Sequence, residues 1–249
     1  MTGRELEGRV AVVTGGARNI GRAIARALGT GGATVVVNAR TSLDAARSVV
    51  AEIEAAGGRG LAHLADVTDE AGVEAMVAEV KARFGRLDIL VNNAAVRDVT
   101  KIDDIDLATW RYVTGIILDG AFICTKAALP LLRASDAASI VNIGGMSGHT
   151  GASGRPHVVA AKMGLVGLTR ALAHDLGPAG ITVNCVVPGL IETERNTTSG
   201  AKSAHATLGV LGRRGKPEDV ANMVRMLCGP DARYLTGQEW HVNGGAYMG

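Results

Sequence analysis

Short runs of aliphatic and β-branched residues, apolar at nearly every position, alternate along the chain with longer segments whose apolar residues recur every three or four positions. The runs at 9–15 (RVAVVTG), 33–39 (ATVVVNA), 60–67, 87–91, 138–143, 180–186 and 238–242 predict seven strands. The helical pattern covers 19–32, 42–58, 69–85, 106–133, 155–176 and 217–228. Ser42 reads as a helix N-cap, and Gly57 with Gly58 as a stop. Strands apolar on both faces and joined by helices predict a parallel sheet covered on both sides. With right-handed crossovers this is a single α/β domain over 1–249, a doubly wound Rossmann-type sheet of about seven strands. The stretch 190–212 breaks the rhythm with Thr, Ser, Gly and Ala, and is expected to be a substrate lid.

Composition narrows the class. Of 249 residues, 47% are hydrophobic and 20% charged, as in ordinary globular chains. A net charge of +2, with the two signs interspersed, argues against nucleic acid and polyanionic surfaces as partners. The polar start MTGRELEGRV does not resemble a signal peptide, and no apolar run is expected to span a membrane. Cys124, Cys185 and Cys228 are far apart in apolar runs, without metal-ligand spacing. They read as buried, reduced thiols of a cytoplasmic protein that holds no metal.

The first candidate site lies between the first strand and the first helix, at TGGARNIG (14–21). A helix N-terminus there offers free N–H groups and a positive dipole to a pyrophosphate, and Gly15, Gly16 and Gly21 permit close backbone approach. Together with LADV (64–67), NNAA (92–95), Lys162 in AAKMGLVGLTRALAHDL, PGLIET (188–193) and YLTGQEWHVNGG (234–245), this turn resembles the short-chain dehydrogenase/reductase family nearly end to end. The likeness is greatest to its 3-oxoacyl-carrier-protein reductases. Asn19 stands where that family carries glycine, and asparagine is the next residue most tolerant of positive φ.

The resemblance implies a nicotinamide dinucleotide held by Gly15, Arg18, Asn19, Ile20, Gly21, Asp66, Val67, Asn93, Ala94, Lys162, Pro188, Gly189, Ile191 and Thr193. NAD-preferring members end the second strand with an aspartate. That position is read here as Asn38, followed by Arg40. With Arg18 also nearby, the charges favour NADP(H), with NAD(H) as the alternative.

The family's chemistry rests on an Asn–Ser–Tyr–Lys set, and here only the lysine is matched. Lys162 fixes the tyrosine position at Val158, the serine position at Gly145 in VNIGGMSG, and the asparagine position at Ile117 in WRYVTGIILDG. Loss of the general acid and of the oxyanion donor removes about four to seven orders of magnitude of ordinary carbonyl reduction if nothing substitutes. His149, which follows the fifth strand, is the candidate substitute proton donor, and Ser147 a displaced oxyanion donor. His157 is expected to point away from the Lys162 face.

Three readings follow: an oxidoreductase acting on a carbonyl or hydroxyl group of a small molecule through an atypical proton donor, a cofactor-binding homologue without turnover, and a non-redox lyase or isomerase on the same fold. The resemblance also implies a homotetramer or dimer, assembled through the long helices that carry Ile116, Ile117, Leu118, Val166 and Leu168.

Overall fold

The computed structural model describes residues 3–194 and 208–249. Its strands are β1 (Val10–Val13), β2 (Thr34–Ala39), β3 (Arg59–Leu64), β4 (Ile89–Asn92), β5 (Ser139–Ile143), β6 (Thr182–Pro188) and β7 (Glu239–Val242). They form one sheet in the order β3-β2-β1-β4-β5-β6-β7, and every pair is parallel. The helices are α1 (Asn19–Thr30), α2 (Leu43–Ala55), α3 (Glu70–Phe84), α4 (Leu107–Thr114), α5 (Gly120–Ala134), the short α6 (Ser147–Thr150), α7 (Pro156–Leu176) and α8 (Pro217–Cys228). The doubly wound fold is therefore as the sequence predicts. Strand order reverses between β1 and β4, the point where open α/β sheets form a ligand crevice at the carboxyl ends of their strands.

Strand alternation feeds two cores. Ala11, Val13, Val35 and Val37 face α1, α2 and α8, where they meet Ile24, Val49 and Val224. Val10, Val12 and Val36 face the other side, where Met76, Cys124 and Leu132 cover them. All three cysteines are buried and unpaired. A smaller third cluster joins α4 and α5 to α7 and contains Val113, Ile117, Ala121, Val158, Ala161 and Leu165. A buried chain of amides and hydroxyls ties these layers together. Asn92 donates to Asn142 Oδ1 at 2.9 Å, and Asn142 donates to Thr169 Oγ1 at 2.9 Å.

One expectation is refined and two are corrected. The helix read over 106–133 is α4, a π-turn over Gly115–Asp119, and α5, in one continuous path. A Cβ on Gly120 would lie 2.7 Å from Val67 Cγ2, so glycine is what lets the helix pass this close. The path Leu107–Ala134 is also long and apolar enough, by composition alone, to cross a membrane, which the sequence reading missed; half of its most apolar window is buried, as in a core helix. Finally, Ile116, Ile117 and Val166 are buried in this chain's own core and cannot serve assembly. Leu118 and Leu168 instead line an open groove of about 630 Å³ with Phe122 and Ile123. Residues 195–207 of the expected lid lie outside the described residues.

Candidate active site

The glycine-rich turn is built from its sequence neighbours. Thr14 is buried at the end of β1, and its Oγ1 accepts from the N–H groups of Asn93 (2.9 Å) and Ala94 (3.0 Å). Asn93 Nδ2 donates to the carbonyls of Thr14 (2.9 Å) and Gly15 (3.1 Å). A Cβ on Gly21 would meet Gly15 O at 2.2 Å and Asn93 Nδ2 at 2.6 Å, so only glycine closes this turn. Asn19 adopts φ 49°, the positive value expected, and is the one non-glycine residue among those described to do so. The N–H groups of Asn19, Ile20 and Gly21 open α1 without intrahelical acceptors, and no acidic residue lies in that first turn. A pyrophosphate fits this end in charge and hydrogen bonding.

At the end of β2 the structure corrects one reading. Asn38 is 1% exposed and its side chain is an internal pin. Its Oδ1 accepts from Gly15 N at 3.3 Å and its Nδ2 donates to Ala65 O at 3.0 Å, so it does not project into the cleft. By strand alternation, the residue on the glycine-turn face is Ala39, which packs beside Val37 and Ala17. The charge argument is unaffected, because Ala39 carries no carboxylate. Arg40 is exposed and steadied by Tyr112: its Nη1 lies 2.8 Å from the phenol oxygen, and its guanidinium 6.0 Å from the ring centre. The hydrogen bond to Tyr112 raises its already high pKa. Arg18 is exposed at the N-cap of α1. Asp66 closes a tight turn, its Oδ1 accepting from Thr68 N at 3.0 Å, while Val67 is buried against α5.

The opposite wall follows β6. Gly189 N bonds Val242 O at 2.9 Å, and a Cβ at Gly189 would meet Asn243 Cα at 2.7 Å, which locks Pro188 and Gly189 against the chain after β7. Ile191 is buried and bridges to Gly215. Asn19 spans the crevice: its Oδ1 accepts from Glu194 N at 2.9 Å and its Nδ2 donates to Glu194 O at 3.3 Å. Arg97, which the sequence reading missed, reaches from the β4 loop to Thr193 Oγ1 at 3.0 Å.

Lys162 lies where these walls meet. Its amine donates to Ile143 O at 2.5 Å. The residue keeps some accessible surface, but packing around the amine is dense. Burial pushes the ammonium down to about 8, and the charge of Arg97 adds a smaller push in the same direction. Ile117 and Val158 share one apolar cluster, at 2% and 8% exposure. Gly145 borders the Lys162 stem: a Cβ there would lie 3.7 Å from Lys162 Cγ and 3.9 Å from Ser147 Oγ, which is ordinary contact. The fold thus gathers all four positions, with branched aliphatic groups and a hydrogen where the resemblance expects an amide, a phenol and a hydroxyl.

His149 turns toward β7, where its Nε2 lies 3.0 Å from Glu239 Oε2. His157 is fully buried, its Nε2 2.9 Å from Asp98 Oδ2, in keeping with a direction away from Lys162.

Comparison with known proteins places this geometry. Residues 15–247 match a family model described as enoyl-(acyl carrier protein) reductase. A 3-oxoacyl-[acyl-carrier-protein] reductase of Synechocystis is 39% identical over 244 residues, covering 98% of each chain. The enzyme of that name from Escherichia coli is 37% identical over 247 residues, covering 97% of this chain and 98% of its own. Among solved structures, a short-chain dehydrogenase from Burkholderia cenocepacia in complex with NADP superposes with a TM-score of 0.90 at 37% identity, covering 97% of this chain and 99% of the other. A short-chain dehydrogenase/reductase from Serratia marcescens gives 0.90 at 36% identity, covering 98% and 99%. The chain belongs to the short-chain dehydrogenase/reductase family.

Proposed function

We propose that the protein is an NADP(H)-dependent oxidoreductase acting on a carbonyl or hydroxyl group of a small molecule, with Lys162 itself exchanging the proton. The observation that carries this reading is the Lys162 amine: buried, near 8, and held at the end of β5 with only a glycine, Gly145, beside its stem. A general acid works best when its pKa lies near the working pH, and an ammonium near 8 is mostly protonated at neutrality while still able to release its proton.

The dinucleotide, when bound, supplies the hydride. The chain holds it by the first turn of α1, by Arg18 and Arg40 toward a 2′-phosphate, by Asp66 and Val67 at the adenine end, and by Asn93, Ala94 and Pro188 to Thr193 along the remainder. Lys162 has three N–H groups, of which Ile143 O takes one. The others are free to serve a ribose hydroxyl and the substrate oxygen. Arg97 supplies a fixed positive charge to an oxygen that becomes anionic, a task Gly145 cannot perform. Ile117 and Val158 exclude water from the α4–α7 side, so the proton travels through Lys162 and not along a relay behind it.

That same apolar seal favours the second reading, a cofactor-binding homologue without redox turnover. NADPH oxidation measured against 3-oxoacyl thioesters and simple ketones from pH 6 to 9 separates the two. Reduction that falls as pH rises through about 8, and that Lys162→Met abolishes while NADPH still binds, is the expected result. Absent turnover with intact NADPH binding selects the second reading. Association into a homotetramer or dimer, through the groove lined by Leu118, Phe122 and Leu168, belongs to the same proposal.

A further inference from the structure

Outside the cofactor crevice, the fold brings together three side chains that are distant in sequence. His149 comes from α6, and Glu239 and His241 come from β7, on the same face two residues apart. One donor atom from each lies within 4.8 Å of the other two, and no other trio of His, Cys, Asp and Glu among the described residues converges in this way. The imidazoles of His149 and His241 meet edge to face at 4.8 Å, and the Tyr247 ring covers both at 5.3 and 5.1 Å.

Ordinary hydrogen bonding does not account for the cluster. His149 Nε2 approaches Glu239 Oε2 to 3.0 Å, yet that oxygen is buried and accepts no hydrogen bond of acceptable geometry. His241 Nδ1 is buried and unpartnered as well. Two polar atoms of the cluster are thus buried without a hydrogen-bond partner, although buried polar atoms are nearly always satisfied. Arg170 Nη2 holds the other oxygen, Glu239 Oε1, at 2.5 Å. That contact orients the carboxylate with Oε2 toward the imidazoles, as outer partners do for metal ligands. Its positive charge opposes a cation but is directed at the far oxygen.

We propose that His149, Glu239 and His241 bind one first-row divalent cation of the zinc type. Two imidazoles and one carboxylate match the preference of zinc, cobalt and nickel, whereas magnesium and calcium require oxygen ligands. Three protein donors leave a fourth position for water. An ideal tetrahedron with bonds of about 2.1 Å has edges of roughly 3.4 Å, so a bound cation eases His149 Nε2 and Glu239 Oε2 slightly apart from their 3.0 Å and closes a donor pair as wide as 4.8 Å by about 1.4 Å. The cation ties β7 and the C-terminal segment at Tyr247 to α6, which begins at Ser147, two residues after Gly145. It is therefore a clasp on the segment that borders Lys162, independent of whether the protein turns over a substrate.

The test uses tag-free, full-length protein stripped with a chelator. Zinc is titrated by calorimetry and cobalt by its visible absorption. The expected result is one equivalent per chain at micromolar protein, a four-coordinate cobalt spectrum, and slowed hydrogen exchange over 146–150 and 239–247 on adding zinc. Glu239→Gln, His241→Ala and His149→Gln should each weaken binding at least about 10-fold, with the fold checked by circular dichroism. His174→Ala, at an exposed histidine on α7, should not change it. Binding of less than one equivalent, equal binding by wild type and all three site variants, or protection located elsewhere would overturn the proposal.

Discussion

The amine of Lys162 donates a 2.5 Å hydrogen bond to the carbonyl of Ile143, which joins the second turn of α7 to the carboxyl end of β5. The contact fixes where the lysine can act, while burial makes its charge costly. Burial holds the folded-state pKa near 8 against 10.5 for a free lysine, so between these values the unfolded chain binds more protons. Stability from this group therefore rises with pH across that window and is flat below 8. Relative to Lys162→Met, wild type should gain up to about 3 kcal/mol between pH 8 and 10.5 in denaturant unfolding. A constant difference would mean that the amine is solvated.

Restoring the missing groups should raise carbonyl reduction. Gly145→Ser meets no atom closer than 3.7 Å at its Cβ and should fold normally. Combined with Val158→Tyr it should accelerate NADPH-dependent reduction at least ~10²-fold, the low end for one general acid. Adding Ile117→Asn should cost about 2–4 kcal/mol of stability, because it places an amide in an apolar cluster. Steady-state rates and unfolding midpoints of the double and triple variants check both statements.

Cofactor preference should follow Arg40. NADPH should bind more tightly than NADH, and Arg40→Ala should erase at least about tenfold of that margin, since a hydrogen bond to a charged group contributes ~1.5–3 kcal/mol. Tyr112→Phe, which frees Arg40 from its phenol partner, should change NADPH affinity while leaving NADH affinity unaltered. Fluorescence titration of both cofactors measures this; equal losses for the two would remove Arg40 from the 2′-phosphate.

Position 19 should tolerate glycine but not alanine. At φ 49°, Asn19→Ala should lose about 1–2 kcal/mol, the cost of a side chain in the left-handed region. Asn19→Gly relieves that strain but gives up both bonds to Glu194, so it should be near neutral in stability. A large loss in Asn19→Gly would show that the Glu194 bonds outweigh the backbone term.

Assembly should depend on the groove between α5 and α7. Light scattering should find a tetramer or dimer, and Phe122→Asp, a charge placed on an exposed phenylalanine of that groove, should shift it to smaller species. A monomeric wild type at micromolar concentration would count against assembly there.

Much of this protein is legible in the chain itself, because local pattern dictates it. Apolar runs flanked by turn residues specify the parallel strands, the glycine spacing specifies the turn before α1, and Asn19 takes the positive φ that its residue type permits. The identities of Ile117, Gly145 and Val158 are likewise a matter of sequence. Tertiary structure decided what depends on direction and burial. Alternation along β2 turns Asn38 inward and leaves Ala39 on the face of the glycine-rich turn, a difference of one residue that composition cannot convey. The depressed amine of Lys162 exists only because α7 packs against the end of β5. Arg97, and the trio of His149, Glu239 and His241, carry no motif at all, since residues far apart in the chain become one site only when the sheet order sets their loops side by side.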